Sequence, residues 1–213
     1  MLFPPCFENI NQRVTEKYLN FDNGFYIEVG GADGFTQSNT WHLEKYKGWK
    51  GILVEPNSDA YYLCKDIRKN SIVYNYALVS KEFSDSSITM IHRNVYSGDP
   101  GLMTAPQDSP LRKDETWMSP KTDNDTTKEF TIPARTLDSI LEENNIVRVD
   151  FFSLDVEGYE LEVLKGFNLS KYEPKVLLVE WHLDITQIEE YVKDTHKLEE
   201  QLSKHDYVFT LRN

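Results

Sequence analysis

The chain has 213 residues, 39% hydrophobic and 27% charged, an ordinary balance for a single domain able to bury a sizeable core. A formal charge of −12 argues against a nucleic-acid partner, since a phosphate backbone calls for a basic face. No apolar run approaches the roughly 20 residues that span a bilayer, and the opening MLFPPCFENINQR does not read as a secretory signal. Cys6 and Cys64 lie far apart without a CxxC partner, which fits two reduced thiols in a cytoplasmic protein rather than a disulfide or a thiolate metal site.

Residues 1–23 form an N-terminal extension ahead of the first strand pattern, FYIEVG (25–30). A helix is expected from Ser38, its candidate N-cap, to Tyr46, with Gly48 as the stop. GILVEP (51–56) is a second strand, SDAYYLCKDIRKN (58–70) a helix, and SIVYNYALVS (71–80) a third strand. The rhythm then breaks. Residues 81–134 are polar and hold Pro100, Pro106, Pro110, Pro120 and Pro133; SITMIHR and KEFTIPA read as strands flanking a long loop. A loop of that length inside a domain is usually functional or disordered, and Met103 and Trp117 favour a substrate or lid insertion that touches something rather than a free linker.

Order resumes with a helix in RTLDSILEENN (135–145), a strand in RVDFFSLDVEG (148–158), a short helix in YELEVLKGF (159–167) and a strand in KVLLVEWH (175–182). TQIEEYVKDTHKLEEQLSK (186–204) reads as one long amphipathic helix, opened by a Thr186–Glu189 capping box and burying Ile188, Tyr191, Leu198 and Leu202. YVFTLR (207–212) is the last strand. Such alternation predicts an α/β fold, a mostly parallel sheet with helices on both faces. Ligands then bind at the carboxyl ends of the strands, where strand order reverses.

Those ends carry the informative residues. Glu28, Gly30, Gly31 and Gly34 sit where the first strand hands over to the first helix, and bare backbone there permits a sharp turn and a close ligand approach. The G-x-G-x-x-G spacing of a dinucleotide site fails: from Gly30 it needs glycine at Ala32 and Phe35. The spelling is E-x-G-x-x-x-G, and an acid suits a cation better than a pyrophosphate. S-adenosylmethionine, with a sulfonium and an ammonium group, is such a ligand. Glu55 ends the second strand about 20 residues past Gly34, where a carboxylate accepts from both ribose hydroxyls. Asn75 and Ala77 are adenine-edge candidates by position, and equally ordinary strand residues. The alternative for the whole loop is a tight turn that binds nothing.

FYIEVGGADGFTQSNT, GILVEPN, PARTLDSIL, FFSLDVEGYELEVLKGF and VLLVEWH, in this order and spacing, resemble the FkbM family of S-adenosylmethionine-dependent methyltransferases. The resemblance runs from about residue 24 to the C-terminus, and D-V-E-G-x-E-x-x-V-L-x-G is its most specific block. It implies a Rossmann-like class I methyltransferase acting on a hydroxyl of a sugar or glycan. One position departs: Ser153 stands where the family commonly has lysine.

Methyl transfer needs near-attack geometry and removal of an alcohol proton. Asp155 and Glu157 follow the fourth strand, Glu180 and His182 the fifth. His182 is the preferred base because its ordinary pKa lies near neutrality. Asp155 faces the cleft in this reading, because an acid straight after VDFFSL is costly to bury unpaired. Glu157 is either a site residue or, like Glu160, a partner of the helix dipole. Asp155, Glu180 and His182 also suit Mg²⁺ or Mn²⁺, and the sequence leaves metal assistance open. His92, His196 and His205 read as surface or lid residues. The rival readings are a nicotinamide-dependent oxidoreductase and a non-catalytic module, and the chain is either a small enzyme or one domain of a larger glycan-assembly protein. Its oligomeric state is not legible.

Overall fold

In chain order the elements begin with α1 (Ile10–Tyr18), β1 (Phe25–Val29), α2 (Trp41–Lys47), β2 (Lys50–Val54), α3 (Ser58–Ile67), β3 (Ile72–Tyr74) and β4 (Ala77–Leu78). Three longer strands follow, β5 (Ser87–Asn94), β6 (Met103–Pro106) and β7 (Thr126–Arg135), then α4 (Leu137–Glu143), β8 (Phe151–Leu154), α5 (Glu160–Lys165) and α6 (Leu169–Tyr172). The chain ends with β9 (Val176–Glu180), α7 (Thr186–Val192), β10 (His196–Gln201) and β11 (Asp206–Leu211). This is a computed structural model, and it describes residues 2–94, 103–110 and 126–212.

The main sheet has the order β10-β11-β9-β8-β1-β2-β3. Its five strands β3, β2, β1, β8 and β9 are parallel, while β11 runs antiparallel to β9 and β10 antiparallel to β11. Strand order reverses beside β1: the chain builds outward to β3, then returns to lay β8 on the other flank. Alternation along the strands fills two cores. Tyr26, Leu53, Phe151, Leu178 and Val208 meet Ile10, Val14, Leu43 and Cys64 on one face. Ile27, Val29, Phe152 and Leu177 meet Leu137, Ile140, Val163 and Ile188 on the other. Helices thus cover both faces, as the sequence predicts. Among the described residues no helix is long and apolar enough to cross a membrane.

A second sheet, β4-β7-β5-β6, stands beside the first. The expected flanking strands of residues 81–134 pair antiparallel as β5 and β7, but β6 adds a strand where only loop was predicted. Trp117 lies outside the described residues. The predicted third strand, 71–80, is two: β3 joins the main sheet and β4 the second. Asn75 makes the break, its amide donating to the carbonyls of Glu55 (2.8 Å) and Pro56 (3.0 Å).

The long helix predicted over 186–204 stops at Val192. Asp184, not Thr186, accepts a first-turn N–H, that of Thr186. Residues 196–201 instead form the edge strand β10, with a register shift between Leu198 and Glu200 that erases the alternation by which a strand is recognised. Ile188 and Leu202 are buried as expected, whereas Tyr191 and Leu198 are exposed. His196 is fully buried rather than on the surface, its Nε2 2.7 Å from the carbonyl oxygen of Pro174. Lys197 and Glu199 stay exposed on this edge strand, charges that discourage further strand pairing.

One buried cation ties the first core together. Arg68, at the end of α3, is 1% exposed. Its guanidinium donates to Glu44 (2.9 Å), Glu28 (3.2 Å), Ser38 (3.0 Å), Thr40 (2.6 Å), the Tyr26 hydroxyl (2.5 Å) and the Gly34 carbonyl (3.1 Å). It thereby links β1, the glycine-rich turn and α2. Burial of Glu44 works against ionisation, but Arg68 and its other donors hold that carboxyl below its ordinary range. Arg68→Ala leaves Glu28 and Glu44 buried without their counter-charge and lowers the unfolding free energy by about 3–5 kcal/mol. Arg68→Lys recovers only part, because an ammonium cannot reproduce the planar fork. Urea unfolding at neutral pH measures both, and a loss under about 1 kcal/mol for the alanine variant contradicts this account of the hub.

Candidate active site

Parallel pairing sets the site. Val29 pairs with Val54 and with Leu154, and Leu154 pairs with Val179. The next residues on these strands are Glu55, Gly30, Asp155 and Glu180, and they form one row along the carboxyl edge. The ladder continues into that row: Gly30 N–H donates to Val54 O (3.0 Å), Asp155 N–H to Val29 O (3.1 Å) and Glu55 N–H to Tyr74 O (3.0 Å). β11 lengthens the row, since Asp206 pairs with Glu180. Neighbouring strands lie about 4.8 Å apart, so acids on one row and one face interact strongly.

Gly30 is the gap between Glu55 and Asp155. Its φ is +85°, and an added Cβ would stand 1.8 Å from the Asp155 carbonyl oxygen. Gly34, at φ +80°, would strike Cys64 Sγ and Arg68 Cγ at 2.9 Å. The room these glycines leave is filled by protein. Gly30 and Gly31 still line the cleft, while Gly34 lies behind it.

The cleft encloses about 1100 Å³ counted out to its open mouth. The main sheet supplies the acidic wall with Glu28, Glu55, Asp155 and Glu157, and the second sheet and its approach supply Tyr76, Ala77, Leu78, Met90, Thr104 and Pro106. Among the described residues no lysine, arginine or histidine lines it. Glu55 is 5% exposed, its two oxygens accepting from the N–H groups of Ala32 (2.8 Å) and Asn57 (2.7 Å). Burial pushes its carboxyl up to about 7 against those two donors. Glu28 touches the cleft, but its carboxylate is already engaged by Ser38 Oγ, Asn39 N, Thr40 Oγ1 and Arg68. The helix expected from Ser38 begins only at Trp41, with Thr40 at its N-cap; Ser38 Oγ, ahead of that start, accepts from Trp41 N (3.0 Å) and donates to Glu28. Ala77 lines the cleft; Asn75 does not, being held in the turn beneath Glu55. Ser153, the departure from the family pattern, accepts from the Asn39 amide at 3.0 Å.

Asp155 opens into the cleft and is hydrogen-bonded to Glu180. Crowding by the cleft walls and the Glu180 carboxylate push the Asp155 carboxyl well above its ordinary range. Solvent still reaches the side chain, so the Glu180 charge is the firmer cause. Burial, with the charges of Glu157, Asp206 and Glu160, pushes Glu180 up to about 7 despite the bond from Asp155. Two neighbouring carboxyls of this kind titrate as a pair. His182 does not line the cleft; its Nε2 lies 3.5 Å from Glu180 Oε1 and its ring stacks on His205 at 3.9 Å. The β8–β9 register sets Asp155 beside Glu180, and Glu157 also lines the cleft, while His182, expected over the same point, stands outside it. Sequence reasoning did not single out Asp206 or Arg68, which no periodic pattern marks. His205 is likewise part of this cluster, not a bystander.

Among the described residues no group of three or more His, Cys, Asp or Glu side chains is arranged to hold a metal ion. The Mg²⁺ or Mn²⁺ set of Asp155, Glu180 and His182 that the sequence left open is not supported by their geometry. Asp155 and Glu180 bond to one another, and the His182 ring lies flat against His205.

The family model of the methyltransferase FkbM domain matches residues 28–209. A crystal structure of an FkbM methyltransferase from Methylobacillus flagellatus KT is similar, with TM-score 0.53 and 13% identity over 90% of this chain. This chain spans 44% of that protein's chain. The precorrin-6y C5,15-methyltransferase of Geobacter metallireducens GS-15 aligns over 96% of this chain and 87% of its own, with TM-score 0.46 and 11% identity. No curated protein matches the chain.

Glu55 and Glu180 give a signed pH dependence. Both hold protons in the folded state that the unfolded chain has released, so their stabilisation is complete below about pH 4.5 and is lost as pH rises through about 7. Glu180→Gln, which cannot ionise, reduces the fall in unfolding free energy between about pH 5 and 8 by of order 1–3 kcal/mol. Urea unfolding at those two pH values checks it, and an unchanged fall in the variant refutes it.

Proposed function

Since the chain belongs to the FkbM family of S-adenosylmethionine-dependent methyltransferases, we propose that it methylates a hydroxyl oxygen of a sugar or glycan, alone or within a larger glycan-assembly protein. The carrying observation is the acid-lined cleft at the reversal of strand order, in which no cationic side chain among the described residues takes part. That lining fits a sulfonium and an ammonium group and is hostile to a dinucleotide pyrophosphate, which argues against the oxidoreductase reading. Each Glu55 oxygen has one protein donor and retains acceptor capacity for ribose hydroxyls. Glu28 serves this half of the cleft through the 38–40 turn that it braces, beside Gly30 and Gly31.

S-adenosylmethionine, when bound, supplies a methyl carbon made electrophilic by its sulfonium. The protein's part is to orient the acceptor and take its proton. Asp155 is the residue that both faces the cleft and pairs with a second carboxyl, so the general base is assigned to it in place of His182. With one proton shared between Asp155 and Glu180 near neutrality, the pair retains a negative charge able to accept the hydroxyl proton. Glu180 and then His182 lead that proton away from the cleft towards solvent, His182 being 29% exposed. Glu157 lines the acceptor side. Residues 81–134, which provide Met90, Thr104 and Pro106, are assigned to acceptor recognition.

Asp155→Asn lowers kcat by at least about 100-fold while S-adenosylhomocysteine binding changes by less than about threefold; His182→Ala costs about tenfold or less. Turnover of labelled donor on a panel of neutral sugars and glycans, with calorimetry for binding, measures both. Full activity of Asp155→Asn removes the assigned base, and tight NADH binding with none of S-adenosylhomocysteine removes the whole reading.

A further inference from the structure

The loop between β8 and α5 holds two successive left-handed residues, Glu157 at φ +57° and Gly158 at φ +88°. A residue with a side chain pays about 1–2 kcal/mol there and keeps the conformation only when its surroundings over-determine it. The determinants lie on both sides of the loop. From within, Glu160 is 0% exposed, and its Oε1 accepts from the N–H groups of Val156 (2.8 Å) and Gly158 (3.1 Å). From the second sheet's side, Ser109, 1% exposed, donates its hydroxyl to the Glu157 carbonyl at 2.7 Å.

Glu160 opens α5, and the sequence reads it as a carboxylate favouring the helix dipole. The structure assigns it otherwise. The two N–H groups it holds precede the helix, its side chain has no solvent exposure, and Oε2 has no hydrogen-bond partner among the described residues. Burial pushes its carboxyl up to about 8, so near neutrality it is mostly the neutral acid. Dipole stabilisation needs the opposite, an ionised carboxylate.

We propose that Glu160 is a positioning residue for methyl transfer, fixing through Val156 and Gly158 the backbone that carries Asp155 and Glu157 on either side. It rests on the reading of Asp155 as the base, yet it has a readout that needs no acceptor. Asp155 is held beside Glu180, with Asp206 and His182 the other charged groups acting on it and the buried Glu160 carboxyl behind the loop. A loop released from Glu160 lets Asp155 move away from Glu180 and into water, and its titration returns towards the ordinary carboxylate range.

The test uses the full chain. Carboxyl-carbon NMR follows the Asp155 titration, assigned by its absence in Asp155→Asn. In Glu160→Ala the Asp155 midpoint falls by roughly one pH unit or more. In the same variant kcat on any acceptor turned over falls about 100-fold, with KM and S-adenosylhomocysteine binding within about threefold. Glu160→Gln keeps an accepting oxygen and restores both. Should Glu160→Ala not fold, Glu160→Asp withdraws that oxygen by one methylene and carries the same expected shift. An unmoved Asp155 titration in the folded variant, or Glu160→Gln as damaged as Glu160→Ala, overturns the proposal. Failure of every sugar acceptor refutes the substrate reading alone and leaves the NMR result to decide the role of Glu160.

Discussion

Level parallel strands put like charges side by side, and the edge of this sheet is organised around that fact. Glu55, Asp155, Glu180 and Asp206 share one row, with Gly30 as its gap. Two carboxylates one strand apart repel by about 3–4 kcal/mol at an effective dielectric constant near 20. Protonating an ordinary carboxyl at neutral pH costs a similar amount, at about 1.4 kcal/mol per pH unit. The two terms nearly balance, so Asp155 and Glu180 settle on a shared proton instead of two charges. A fold that needed only stability would not repeat an acid at these strand ends; in the proposed reading, binding a cation and accepting a proton give each of them a use.

The glycine-rich turn follows from the same edge. Gly30 lacks a side chain because the Asp155 carbonyl occupies the space a Cβ would need, and Gly34 because α3 does. Glu28 and Arg68 then hold the turn from below. The ligand-facing surface is thus a by-product of how tightly β1, β8 and α3 approach one another.

Much of this was legible in the sequence where the signal was local. Strand–helix alternation predicts the parallel sheet, and acids at the ends of apolar runs point to Glu55, Asp155 and Glu180. Features that rest on contacts between distant segments were not legible. Arg68 ends an amphipathic helix in a stretch of ordinary surface residues, KDIRKN, and only the fold shows that it turns inward. Glu160 sits at a helix start, where an acid has a sufficient local explanation, so its burial was hidden. The region 193–204 misleads for a physical reason: a shift of register in β10 breaks the period of two, and the leftover spacing mimics a helix. His182 was favoured as a base for its intrinsic acidity, whereas its distance from the cleft is set by the turn after β9.

The buried Arg68 cluster also bears on how the cleft receives a ligand. Its ion pairs with Glu28 and Glu44 are shielded from solvent, so displacing the 38–40 turn means exposing uncompensated charge. That turn is therefore ordered when the chain folds, and a molecule arriving later does not have to supply the entropy of organising it. In the proposed reading, adaptation to differently shaped acceptors falls instead to the opposite side of the groove, which Met90, Thr104 and Pro106 line.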